Sequence, residues 1–129
     1  MSFKKEFELL SGRRALITED EVMEAMDLEY TLREVGCSIA GVASNLDSAY
    51  EVLRTADVDF AVLDVNLGGT NVFPLARKLR ARGIPFFFVT GYCHDNIVPE
   101  EFRACVCLEK PLRDTLLRRA AAQLFAETA

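Results

Sequence analysis

Apolar and polar stretches alternate along this chain with a regularity that predicts its elements. Four short runs are apolar at nearly every position: Ala15 to Ile17, Phe60 to Leu63, Phe86 to Val89 and Cys105 to Leu108. A weaker run spans Ile39 to Ala43. Runs that do not alternate predict strands buried on both faces, the habit of parallel sheets covered by helices. Between them apolar residues recur at three and four. Val22, Ala25, Leu28, Leu32 and Val35 predict one helix, stopped by Gly36. Leu46, Ala49, Leu53 and Ala56 predict a second, after a capping-box-like Ser44-x-x-Asp47. Val72, Ala76 and Leu79 predict a third, with Pro74 tolerated in its first turn. Leu112, Leu116, Ala120 and Leu124 predict the last. Pro99 interrupts the stretch from Cys93 to Arg103, where a short or irregular helix is expected.

Five strands alternating with helices predict a single open α/β sheet with helices on both faces. At 129 residues the chain fits one domain with a core of its own. Residues 1–12 precede the first strand, as a short helix or a loose tail. Twenty acidic against 15 basic residues give a net charge of -5, which argues against general affinity for nucleic acid or anionic membrane. A protein partner or a small ligand fits that charge better. The four cysteines Cys37, Cys93, Cys105 and Cys107 come without a secretory signal, predicting a reduced cytoplasmic protein. Cys93-His94 with Cys105-x-Cys107 is a weak alternative as a zinc site, because the usual paired spacings are missing.

Ligands of doubly wound sheets sit beyond the carboxyl ends of the strands. There the first run ends in Thr18-Glu19-Asp20-Glu21, the third in Asp64-Val65-Asn66, the fourth in Thr90-Gly91 and the fifth in Glu109-Lys110-Pro111. Glu19, Asp20 and Asp64 brought together would repel one another unless a cation sat among them. Oxygen ligands of this kind suit Mg2+, which keeps waters and leaves room for phosphate oxygens. Thr90 adds a hydroxyl and Lys110 a compact positive charge for a phosphoryl group. The set predicts in-line attack by Asp64 on a phosphoryl group and an acyl phosphate product. Taken singly, each feature has an ordinary explanation as a solvated loop, an N-cap or a turn. Their occurrence at the ends of successive strands, in order, favours the site.

These segments resemble the receiver domain of two-component response regulators, from about Arg13 to Phe125. The resemblance rests on Leu16 to Glu21, Leu63-Asp64-Val65-Asn66-Leu67, Val89-Thr90-Gly91 and Glu109-Lys110-Pro111. It implies phosphorylation of Asp64, and Mg2+ held by Glu19, Asp20, Asp64 and a main-chain oxygen at Asn66. It further implies phosphoryl contacts from Thr90 and Lys110, a cis Lys110-Pro111 bond and strand order 2-1-3-4-5. On this view residues 13–126 are the receiver domain, 1–12 an N-terminal extension, and no output domain follows.

Two positions depart from the family pattern. Cys107 stands where an aromatic switch residue is usual, and Gly68-Gly69 replaces a proline in the loop after Asp64, which is expected to loosen it. Pro85-Phe86-Phe87-Phe88-Val89-Thr90-Gly91-Tyr92 resembles the signature of the FAT GUY subgroup of single-domain receivers, whose members act with HWE-type and related histidine kinases. Tyr92 is a candidate for the signalling role that Cys107 cannot fill; the alternative is that it only packs against the irregular fourth helix.

The expected partners are a histidine kinase or phosphotransfer protein and a downstream protein, with the chain a monomer or weak dimer and no nucleic acid or membrane involved. Two contexts fit, a stand-alone receiver and one separated from a hybrid histidine kinase. A Mg2+-dependent phosphatase with an Asp nucleophile is a third reading, and it lacks its general acid, because Asn66 stands two residues after Asp64 and cannot transfer protons.

Overall fold

A computed structural model describes residues 1–91 and 97–126. The elements run α1 (Phe3–Leu10), β1 (Arg14–Thr18), α2 (Val22–Glu34), β2 (Ser38–Ala43), α3 (Leu46–Thr55) and β3 (Phe60–Asp64), followed by a small hairpin, β4 (Asn66–Leu67) and β5 (Thr70–Asn71). Then come α4 (Phe73–Ala81), β6 (Phe86–Thr90), a 3-10 turn at Glu100–Phe102, β7 (Cys107–Glu109) and α5 (Asp114–Gln123). The main sheet is five-stranded in the order β2-β1-β3-β6-β7, and every pairing is parallel. With the hairpin strands set aside, this is the expected order 2-1-3-4-5.

Consecutive strand residues feed opposite layers, which is why the runs are apolar throughout. Leu16, Ala61, Leu63, Phe86 and Phe88 face a core completed by Ala49 and Leu53 of α3, Leu75, Ala76 and Leu79 of α4, and Phe102. Ala15, Ile17, Phe60, Val62, Phe87 and Val89 face the other layer, with Leu28 and Leu32 of α2 and Leu117, Ala120 and Ala121 of α5. Such period-two division between two covered faces is the geometry of a strand inside a three-layer fold. At Gly41 of β2 an added Cβ would lie 2.6 Å from a methyl of Val52, so this close approach of α3 to the sheet requires glycine.

Several local details refine the sequence expectations or differ from them. Of the two forms expected for residues 1–12 the short helix is the one present, over Phe3–Leu10, and Leu10 is fully buried in the α2/α5 layer. The N-cap of α3 is Asn45, whose Oδ1 accepts the Ser48 N–H at 2.8 Å, one residue later than the Ser44 box. In α2, Val22 is 69% exposed because it opens the helix above the rim of the sheet. In α5 the buried face is Leu117, Ala120, Ala121 and Ala122, with Leu112 and Leu124 packed against the same layer as expected, while Leu116 is exposed and Leu117 takes its place. The loop expected to be loosened by Gly68-Gly69 is the tight β4-β5 hairpin, with Leu67 opposite Thr70. Both glycines have positive φ, 60° and 84°, as a two-residue type I′ turn requires. Tyr92, Cys93 and His94 lie outside the described residues.

Candidate functional site

Parallel strands deliver their carboxyl ends to one rim, and the register here brings the polar residues together. Thr18 pairs with Leu63, Asp64 with Val89, and Thr90 with Glu109. The Lys110 N–H donates to the Thr90 carbonyl at 2.8 Å, tying the ends of β6 and β7. The Lys110-Pro111 bond is cis.

Glu19, Asp20 and Asp64 converge. One carboxylate oxygen from each lies within 4.8 Å of the others, and among the described residues this is the group of metal-ligating side chains so arranged. Glu19 and Asp64 are buried, whereas Asp20 is exposed. Backbone donors hold each carboxylate in place. Glu21 N–H reaches Glu19 Oε2 at 3.1 Å, Asn66 N–H reaches Asp64 Oδ1 at 3.2 Å, and Gly68 N–H reaches Asp20 Oδ2 at 3.2 Å. The hairpin thus clasps two of the three acids. Asn66 also accepts the Gly69 N–H on its side-chain Oδ1 at 3.1 Å.

Lys110 completes the cluster. Its Nζ lies 2.7 Å from Glu19 Oε1, 2.9 Å from Asp64 Oδ2 and 2.9 Å from Glu24 Oε2. Burial works against its ammonium, but hydrogen bonds to Glu19, Asp64 and Glu24 outweigh that, and its pKa is raised. Burial pushes the Glu19 carboxyl up to about 7, reinforced by the charge of Asp64 and partly offset by Lys110 and the Glu21 N–H. An all-oxygen donor set containing a carboxyl raised by burial fits a hard divalent cation, which would favour its ionised form. Over the cluster lies a cavity of about 500 Å³ whose walls include Thr90, Gly91 and Ile97 besides the acids and Lys110.

All five side chains singled out from the sequence, Glu19, Asp20, Asp64, Thr90 and Lys110, border this one cavity, as does Asn66. Cys107 does not. It opens β7 opposite Phe88 and packs, half-buried, against the α3/α4 layer. Sequence reasoning missed two residues. Thr18 closes an apolar run, yet its fully buried hydroxyl bonds the backbone of β3. Glu24 reads as part of a solvated helix face, and its only signal was its place in the first turn of the helix that follows the acidic pair.

Comparison with known proteins agrees with this geometry. The sequence matches the response regulator receiver domain over residues 15–122. It is 28% identical over 109 residues to the sensory transduction protein LytT of Bacillus subtilis (strain 168), covering 82% of this chain and 45% of that protein. The chain therefore spans about half the length of the curated relatives it matches. The solution structure of SdrG from Sphingomonas melonis Fr1 is 35% identical, with TM-score 0.77, covering 98% of this chain and 100% of that one. A BeF3-activated conformation of SdrG from Pseudomonas melonis Fr1, also 35% identical, has TM-score 0.72 over 88% of this chain and 98% of that one. With the sheet order, the acidic cluster and the family match in agreement, the chain belongs to the response regulator receiver domains of two-component signal transduction.

Proposed function

We propose that Asp64 is the phosphoacceptor of a two-component phosphorelay and that Glu19, Asp20, Asp64 and the main-chain oxygen of Asn66 hold Mg2+. The observation that carries this reading is Lys110 Nζ, 2.9 Å from Asp64 and 2.7 Å from Glu19, which brings the cation and the acidic cluster to one point. Mg2+ would supply charge neutralisation for the oxygens of the transferring group. An Asp64 oxygen forms the new bond to phosphorus as the P–N bond of a donor phosphohistidine breaks, its electron pair returning to the imidazole. Lys110 and the Thr90 hydroxyl then bind the phosphoryl oxygens. No turnover of a free substrate is implied.

The proposed donor is a histidine kinase, of HWE type or related, or a phosphotransfer protein. Val22, Met23, Met26 and Tyr30 are exposed along α2 beside the site and offer apolar surface to it. The BeF3-activated form of SdrG supports acceptance of a phosphoryl-like group on this architecture. Residues 13–126 are proposed as the receiver unit, with signal output by contact with a downstream protein, in the cytoplasm. Among the described residues no helix is long and apolar enough to cross a membrane. Tyr92 is kept as the candidate for relaying the signal, because Cys107 replaces the usual aromatic residue at the switch position and packs against the α3/α4 layer. The phosphatase reading is disfavoured by Asn66, whose side-chain oxygen is taken up by the Gly69 N–H of the hairpin.

The test is incubation with acetyl phosphate and Mg2+ followed by intact mass. A gain of about 80 Da, one phosphoryl group, is expected in the wild type. Asp64→Asn or chelation of the cation should abolish it. Equal labelling of Asp64→Asn would remove Asp64 from the role.

A further inference from the structure

A lysine ammonium has about three N–H donors to give, and in Lys110 all of them point at carboxylates, those of Glu19, Asp64 and Glu24. Glu19 and Asp64 belong to the proposed phosphoacceptor site. Glu24 does not. It stands in the first turn of α2, and its carboxylate borders both the cavity over Asp64 and a second cavity of about 340 Å³ between α2 and α5. The three partners differ in freedom. The Glu19 side chain is 1% exposed and that of Asp64 7%, whereas Glu24 is 44% exposed.

We propose that Glu24 is a positioning residue that acts through Lys110, competing with the phosphoryl oxygens for the ammonium and so weakening the phosphorylated state. The inference rests on the reading of Asp64 as phosphoacceptor. A phosphoryl group brings to Asp64 about two negative charges and three strong acceptor oxygens. A donor that Lys110 keeps on Glu24 is one withheld from those oxygens. The carboxylate also places a like charge beside the incoming anion. Both effects have the same sign. Glu24 is the partner able to yield, since a half-exposed carboxylate can turn to water while buried Glu19 cannot do so without loss of its solvent-free packing.

The alternative is that Glu24 serves only α2, where an acidic residue in the first turn favours the helix dipole. Binding of beryllofluoride with Mg2+, followed by NMR titration, separates the two. Glu24→Gln keeps the size and an acceptor oxygen but removes the charge; Glu24→Ala removes both. Both are expected to bind beryllofluoride roughly twofold to fivefold more tightly than wild type, the range for one partly exposed ion pair. The initial rate of labelling by acetyl phosphate should rise with affinity. A role in the helix alone would lower the melting temperature and leave affinity unchanged or weaker, which overturns the proposal. Failure of the wild type to bind beryllofluoride would instead sink the phosphoacceptor reading, and this inference with it.

Discussion

The hydroxyl of Thr18 accepts the backbone N–H of Asp64 at 3.2 Å and donates to the carbonyl of Val62 at 3.4 Å. One fully buried side chain on β1 therefore grips β3 on both sides of Leu63, directly beneath the acidic cluster. An apolar residue of the same shape would fill the space without making either bond. Thr18→Val is expected to lower stability by about 1 kcal/mol and to shift the Asp64 amide resonance, while Thr18→Ser restores that resonance. Denaturant unfolding and amide NMR check both, and an unmoved Asp64 amide in Thr18→Val would refute the link.

Glu19 supplies a pH dependence. Its carboxyl is raised from 4.5 to about 7, first by burial. A group that holds its proton more tightly in the folded state favours folding below its unfolded pKa, and that contribution is lost as pH rises through the folded value. Metal-free protein is therefore expected to lose stability between pH 4.5 and about 7 from this group. Mg2+ binding requires the ionised carboxylate, so its affinity should fall as pH drops below 7, with proton uptake by Glu19. Thermal melts with and without Mg2+ across this range provide the measurement. Glu19→Gln should flatten the metal-free slope; an identical slope in that variant would assign the effect elsewhere.

The hairpin glycines are held by backbone conformation rather than by crowding. An added Cβ at Gly69 meets nothing within 4 Å, and at Gly68 only the Ser44 carbonyl at 3.8 Å. Gly69→Ala or Gly68→Ala should each cost about 1–2 kcal/mol, the penalty of a left-handed residue bearing a Cβ. Asn, which tolerates that region, should cost less. Because Gly68 N–H holds Asp20 Oδ2, the alanine variants should also bind Mg2+ more weakly. Calorimetric titration reports the second effect, and alanine variants as stable as wild type would contradict the turn assignment.

Beneath Thr90 lies an aromatic cluster centred on Phe102. Its ring stacks on Phe73 at 6.0 Å and meets the edges of Phe86 and Phe88 at 5.9 and 5.6 Å, with the Arg80 guanidinium 4.5 Å from its centroid. Phe102→Ala should cost about 3–5 kcal/mol, as for other large buried rings. Arg80→Ala should cost about 0.5–1 kcal/mol, as for an exposed cation over a ring. Equilibrium unfolding distinguishes the two, and a mild effect of Phe102→Ala would show that the cluster is not cooperative support for β6.

Much of this architecture could be read directly from residue order. Strands buried on both faces must be apolar throughout, so β1, β3 and β6 announced themselves, and with them the polar residues that end each strand. The sheet then had little choice but to gather Glu19, Asp20, Asp64, Thr90 and Lys110 on one rim. Contacts that depend on the exact placement of helices were not accessible in this way. Glu24 and Lys110 are 86 positions apart, and their ion pair exists because α2 and the β7-α5 connection arrive on the same side of the sheet. The Thr18 hydroxyl, the exposure of Leu116 and the closing of Gly68-Gly69 into a hairpin are of the same kind. Periodicity reports how a segment meets an apolar layer; it carries no information on which distant polar atom lies across the gap, and that is settled only when the layers pack.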